Sequence, residues 1–209
     1  DIDAALRPKF RSSIKLELLD PPEMVPYSNI KDSPEPWNTE KHRAISRQMA
    51  LESIVLLKND KDFLPLDKKA IKSIAVIGPL ADSVHWDWYG GTPPYAVTPL
   101  QGIKDEVGPD ITINYAANEL GAAAINAARK SDVAIVVVGN DPTCGPDMSR
   151  EWTAGGVTIP CTVPSDGREG RDRESIQLYQ EQLVKQVHLV NPKTVVILVS
   201  SFPFAINWT

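Results

Sequence analysis

The sequence predicts an α/β fold, a mostly parallel sheet flanked by helices on both faces. Three observations point there. Short apolar runs alternate with amphipathic segments of helical length, the signature of successive βαβ units. The strongest runs, Val133–Val138 and Val195–Val199, are continuously apolar rather than alternating, as strands buried on both faces are. No apolar run reaches the ~20 residues of a membrane span.

Taken in order, residues 1–38 carry little periodicity beyond a short helix over Ala4–Leu19. Asp20-Pro21-Pro22-Glu23 and Ser33-Pro34-Glu35-Pro36 break the chain, because proline fixes φ and forces its predecessor into extended backbone. This stretch reads as a linker or tail, and 39–209 as the α/β domain. Thr39 can cap a helix whose apolar positions include Ile45 and Met49. Ile54–Lys58 reads as extended, Asn59-Asp60 as a turn, and Lys72–Ile77 as a strand ended by Gly78-Pro79. After a loop dense in aromatics, Thr98-Pro99 starts a helix with Thr as cap and Pro at the first helical position. It stops at Gly108-Pro109. A strand over Ile111–Tyr115, a helix over Glu119–Lys130, a strand over Val133–Val138, a long loop over 140–168, a helix over Ser175–Val190 and a strand over Thr194–Ser200 follow. Nothing after Trp208 covers the last strand, so the sheet is expected to be incomplete at its C-terminal end.

The 209 residues suit one domain, or one with an appendage, and 42% hydrophobic residues is an ordinary globular value. A net charge of −5, with no Lys/Arg cluster, argues against a nucleic-acid partner. Many of the 18 prolines fall in 21–36, 93–99 and 142–164. Cys144 and Cys161 lie in the last of these. A bridge between them would close a loop of about 17 residues and contribute roughly 3 kcal/mol, but two unpaired thiols fit the sequence as well. His42, His85 and His188 show no ligand spacing with the cysteines, so no metal and no cofactor is expected. The glycine spacing of a dinucleotide fingerprint and a G-x-S-x-G elbow are both missing.

Two segments could carry chemistry. The loop over 140–168 is longer than a compact domain needs for a connection, which is usual for functional loops. It delivers Glu169, whose neighbour Gly170 permits close backbone approach. On residues alone Glu169 is a general acid/base or a solvated loop carboxylate, the latter being the commoner role of such a residue. Arg168 and Arg171 flank it and would favour its charged form. Asp172 and Arg173 fit a capping and an ion-pairing role better than a catalytic one. The second segment, His85-Trp86-Asp87-Trp88-Tyr89-Gly90-Gly91, offers Trp86, Trp88 and Tyr89 either as sugar-stacking faces or as lid residues packed on another domain.

Several stretches together resemble the C-terminal α/β sandwich domain of glycoside hydrolase family 3. Glu52–Asp60 followed by Leu64-Pro65-Leu66 is similar to the family's entry into that domain. Ile74–Gly78, Tyr89-Gly90-Gly91-Thr92-Pro93 and Thr98–Ile103 are similar to its first strand, loop and helix. Glu169-Gly170-Arg171-Asp172-Arg173 is similar to its E-G-x-D-R pattern, and residues 17–30 to the tail leaving its N-terminal barrel. The resemblance implies a retaining exo-β-glycosidase, with the β-xylosidase branch favoured over β-glucosidase. Glu169 would be the general acid/base, Trp86, Trp88 and Tyr89 would lie near the sugar, and the nucleophilic Asp would sit on a barrel outside this chain. It also implies an oligosaccharide or β-glycoside substrate, the barrel as partner, no nucleic acid or membrane partner, and a secreted or periplasmic enzyme. The alternative is a non-catalytic carbohydrate-binding or interaction module on the same fold. The segment 141–164 is longer than in simple members, and Tyr179-Gln180 departs from the family's usual approach to the next helix.

Overall fold

The computed structural model describes residues 1–31, 36–85, 93–117, 121–141, 144–145, 147, 161, 163–165 and 175–206. They form two compact units, divided between Lys58 and Asn59. The sequence reading set its boundary at 38/39.

The first unit holds helices α1 (Ile2–Lys15) and α2 (Glu40–Ser53). Thr39 caps α2 as its sequence suggests, its Oγ1 accepting from the backbone N–H of His42 at 3.3 Å. The described side chains of both helices are all at least partly exposed. The apolar residues Leu6, Phe10 and Ile14 of α1, and Ile45 and Met49 of α2, are all exposed.

The second unit is the α/β domain. Its elements are β1 (Ser73–Ile77), α3 (Pro99–Val107), β2 (Thr112–Ala116), α4 (Ala122–Arg129), β3 (Val133–Gly139), α5 (Glu181–Val190) and β4 (Thr194–Val199). Among the described residues the sheet has four strands in the order β2-β1-β3-β4. Every pairing is parallel, as the continuous apolar runs predict. Successive side chains point to opposite faces, and each face meets helix. Ala75, Ile77, Ala134, Val136 and Val138 pack with Ala124, Ala127 and Ala128 of α4 and Leu183, Val184 and Val187 of α5. On the other face Ile74, Val76, Val133, Ile135 and Val137 meet Leu100, Ile103 and Val107 of α3, together with Phe63, Leu66 and Ile71. Burying each Val, Leu or Ile among them is worth about 1.5–3 kcal/mol, so this two-sided core dominates the stability of the domain.

Local chemistry sets the element ends. Thr98 Oγ1 accepts from the backbone N–H of Gln101 at 3.1 Å, and Gly108 ends α3 with φ 69°. The N-terminal edge of the sheet is closed by polar staples. Asp132 accepts from the backbone N–H groups of Lys72 at 2.8 Å and Ser73 at 3.0 Å. Asn191 Nδ2 donates to the carbonyls of Ala128 at 2.9 Å and Ser131 at 2.8 Å, which ties the start of β4 to the end of α4.

Besides α1, which spans Ile2–Lys15 rather than Ala4–Leu19, one element differs from the sequence reading. The helix expected over Ser175–Val190 begins at Glu181. The segment before it is engaged elsewhere: the carbonyl of Ile176 accepts from the N–H of Ala205 at 3.0 Å, Leu178 is buried, and the Gln180 side chain accepts from the N–H of Gly139 at 3.3 Å. Helical turns there would forfeit these contacts.

Candidate active site

In an open parallel sheet, ligands bind outside the carboxyl ends of the strands, where the strand order reverses. The order β2-β1-β3-β4 reverses between β1 and β3, because the chain leaves β1 toward β2 and returns to pair β3 on the other side of β1. The crevice therefore lies past Ile77 and Gly139. The two loops singled out by sequence leave the sheet at these points, one after β1 and one after β3.

Both exits are glycines at positive φ, Gly78 at 119° and Gly139 at 153°. A Cβ at Gly78 would collide with the carbonyl of Val137, and one at Gly139 with the carbonyl of Val199. Only glycine lets the backbone turn out of the sheet against its neighbours here. Beyond Gly139 the chain stays anchored. The Asn140 N–H donates to the Val199 carbonyl at 3.2 Å, and Asn140 Oδ1 accepts from the Ser201 N–H at 3.2 Å.

Asp141 is the centre of the described part of the site. Its side chain is 5% exposed, and Oδ2 lies 3.8 Å from Nδ1 of His85, itself 18% exposed. Its backbone is held on both sides: the N–H donates to Ser165 Oγ at 2.7 Å, and the carbonyl accepts from the Cys144 N–H at 3.1 Å. Ser165 is buried and its N–H reaches the Gly145 carbonyl at 3.4 Å. Cys144 and Cys161 are disulfide-bonded, with their Cα atoms 5.5 Å apart, which resolves the alternative the sequence left open. The described residues of the long loop's two limbs, 140–141 and 144–145 on one side and 161 and 163–165 on the other, are thus joined by a covalent bond and by backbone and side-chain hydrogen bonds.

Burial holds the pKa of His85 below its ordinary value of 6.5, and the Asp141 carboxylate opposes that shift. Loss of hydration disfavours the imidazolium more than the neighbouring charge supports it, so near neutral pH the imidazole of His85 is neutral. Ligand atoms of Asp141, Cys144 and Cys161 lie within 4.8 Å of one another. The disulfide ties up both sulfurs, however, and a metal needs thiolates.

Of the residues sequence singled out, Glu169, Trp86, Trp88 and Tyr89 lie outside the described residues. His85 is described and sits directly before Trp86; Ser165 is described and stands four residues before Glu169 in the sequence. Sequence reasoning passed over Asp141 and Ser165. The available signal was position: Asp141 follows a glycine-ended buried strand by two residues, where the fold makes its sites.

A parallel sheet covered by helices on both faces, with two loops leaving at the switch point, defines the class as an open α/β sandwich domain. The family model of the glycosyl hydrolase family 3 C-terminal domain matches residues 54–209, and the chain belongs to that family. It is 33% identical to a beta-xylosidase of Formosa agariphila over 99% of the chain and 28% of that protein. It is 30% identical to beta-D-xylosidase 3 of Arabidopsis thaliana over 96% of the chain and 24% of that protein. Among solved structures, the beta-D-glucoside glucohydrolase of Trichoderma reesei superposes with a TM-score of 0.62 at 25% identity, over 81% of this chain and 24% of that one. The chain therefore spans about a quarter of the length of the relatives it matches.

Proposed function

We propose that this chain supplies the general acid/base of a retaining exo-β-glycosidase, with Glu169 in that role and Trp86, Trp88 and Tyr89 against the leaving sugar. One observation carries the reading: the segments bearing these residues follow β1 and β3, the two strands that flank the switch point. The E-G-x-D-R resemblance at Glu169 supports it, as does the family match. The nucleophile is an Asp on a barrel domain, with residues 1–38 as the tail leading from that barrel. The substrate is a β-glycoside with a terminal sugar. Two relatives named as β-xylosidases favour xylose over glucose.

The chemistry needs two carboxyl groups roughly 5–5.5 Å apart. Glu169 gives its proton to the glycosidic oxygen as the C–O bond breaks, while the barrel Asp attacks the anomeric carbon and forms a glycosyl ester. Glu169, now a carboxylate, takes a proton from water as the water oxygen bonds to that carbon and the Asp leaves. Arg168 and Arg171 favour ionised Glu169; the charged barrel Asp opposes them until it is esterified. One residue can then act as acid first and base second. The Cys144–Cys161 bond supports a secreted or periplasmic setting, since disulfides persist in oxidising compartments.

The test is Glu169→Ala in the chain joined to its barrel. Turnover of an unactivated glycoside should fall by ~10²–10⁴-fold, while an aryl glycoside with a very acidic leaving group keeps its first step and azide restores the second. Near-normal hydrolysis of the unactivated glycoside would refute the role. Sugar affinity in the isolated chain, with no hydrolysis after the barrel is added, would point to a non-catalytic module instead.

A further inference from the structure

We propose that His85 and Asp141 form a latch that sets the β1 loop in register with the β3 loop, making His85 a positioning residue for Glu169, on the reading of Glu169 as acid/base given above. The contact joins the two loops across the switch point: His85 Nδ1 lies 3.8 Å from Asp141 Oδ2. It is not needed to pair the strands below, because β1 and β3 are already in register from Ile74–Val133 to Ile77–Val136. What it joins is the residue directly before Trp86 to the anchored stem of the loop that delivers Glu169.

The stem side is held by several bonds. Asp141 is fixed through its N–H to Ser165 Oγ, at 2.7 Å, and through its carbonyl to the Cys144 N–H, at 3.1 Å. The Cys144–Cys161 bond closes the base of the loop behind it. Ser165 is 1% exposed and precedes Glu169 by four residues in the sequence. A carboxylate only 5% exposed beside an imidazole only 18% exposed carries a desolvation cost. A surface loop needing only to close would not incur it. The arrangement makes sense where a small displacement of a catalytic group is expensive, and a ~1 Å misplacement can cost ~10²-fold in rate.

Aryl glycosides of graded leaving-group acidity test the latch in the barrel-joined enzyme. A misplaced acid slows departure of poor leaving groups and spares good ones; simple loss of folded protein slows all equally. His85→Ala should lower kcat/KM on an alkyl or phenyl glycoside by ~10–100-fold and leave a dinitrophenyl glycoside within about threefold. Asp141→Asn should act in the same way, and the double variant should be no worse than the poorer single one, because residues acting as a unit are not additive. His85→Gln, whose amide keeps a polar N–H group of similar reach beside the carboxylate, should recover most of the loss. If His85→Ala fails to fold, Asp141→Asn and His85→Gln carry the same comparison. A loss independent of the leaving group, or none, would overturn the latch while Glu169→Ala kept its steep leaving-group dependence. If Glu169→Ala itself showed no such dependence, the acid/base reading would fall and the latch with it.

Discussion

Gly139 shows how a single missing side chain fixes the outlet of the site. Its φ of 153° and the nearby Val199 carbonyl exclude any Cβ unless β3 and β4 move apart. Gly139→Ala should therefore lower the unfolding free energy by more than ~2 kcal/mol, combining backbone strain with a collision, read as a lower urea midpoint at unchanged slope. His85 gives a second prediction at this scale. Its folded-state pKa is depressed below 6.5, so between the two values the unfolded chain binds more protons than the folded one. Its contribution to stability is complete above about pH 6.5 and is lost as pH falls through the depressed value. His85→Gln should flatten the dependence of the urea midpoint on pH just below 6.5; an unchanged slope would show that another group titrates there. The matching glycine at the end of β1, Gly78, was legible in the sequence as a chain-breaker beside Pro79. The His85–Asp141 contact was not, because neither residue type nor local spacing reveals which of two loops will meet once strands distant in sequence pair.

Elements were legible where their ends are written locally. Thr39 and Thr98 cap the helices that follow them, and Gly108 stops α3, because cap and stop chemistry depends on nearest neighbours along the chain. Thr98→Ala should cost about 1 kcal/mol in urea unfolding, since Thr98 Oγ1 both accepts from Gln101 and donates to Asp82 Oδ1 at 2.8 Å. The start of α5 was misread for the opposite reason. The amphipathic pattern runs back through Leu178, but Ile176 bonds to Ala205 and Gln180 to Gly139, partners that no local pattern discloses. Asn191 belongs to this scale as well. Asn191→Ala would leave carbonyls of Ala128 and Ser131 without the side-chain donor that now reaches them. It should cost about 1–3 kcal/mol and speed hydrogen exchange at the end of α4 before that of the central strands.

In the whole α/β domain, the polar staples and the proposed site occupy opposite ends of one sheet. The N-terminal edge is closed by Asp132 and Asn191, while the C-terminal edge opens into loops held by Asp141, Ser165 and the disulfide. The mid-sheet residues Val136 and Val137, both fully buried, serve the core on its two faces. The two ends should therefore respond differently to substitution. Val137→Ala should lower global stability by roughly 1–3 kcal/mol through lost burial and a small cavity, and hardly change turnover per folded molecule. Replacing Cys144 and Cys161 together by serine should do the reverse to the balance. Opening a 17-residue separation costs up to about 3 kcal/mol if the whole chain unfolds as one unit. The loop can also open locally while the sheet stays paired, and local opening is how binding loops commonly differ from core strands. Amide exchange in β1 and β3 should then stay slow, exchange in residues 140–145 and 161–165 should quicken, and hydrolysis of poor leaving groups should fall more than that of good ones. Equal acceleration of exchange in the strands and in the loop stems would mean that the disulfide guards the core itself, and that the two ends of the sheet are not energetically separate.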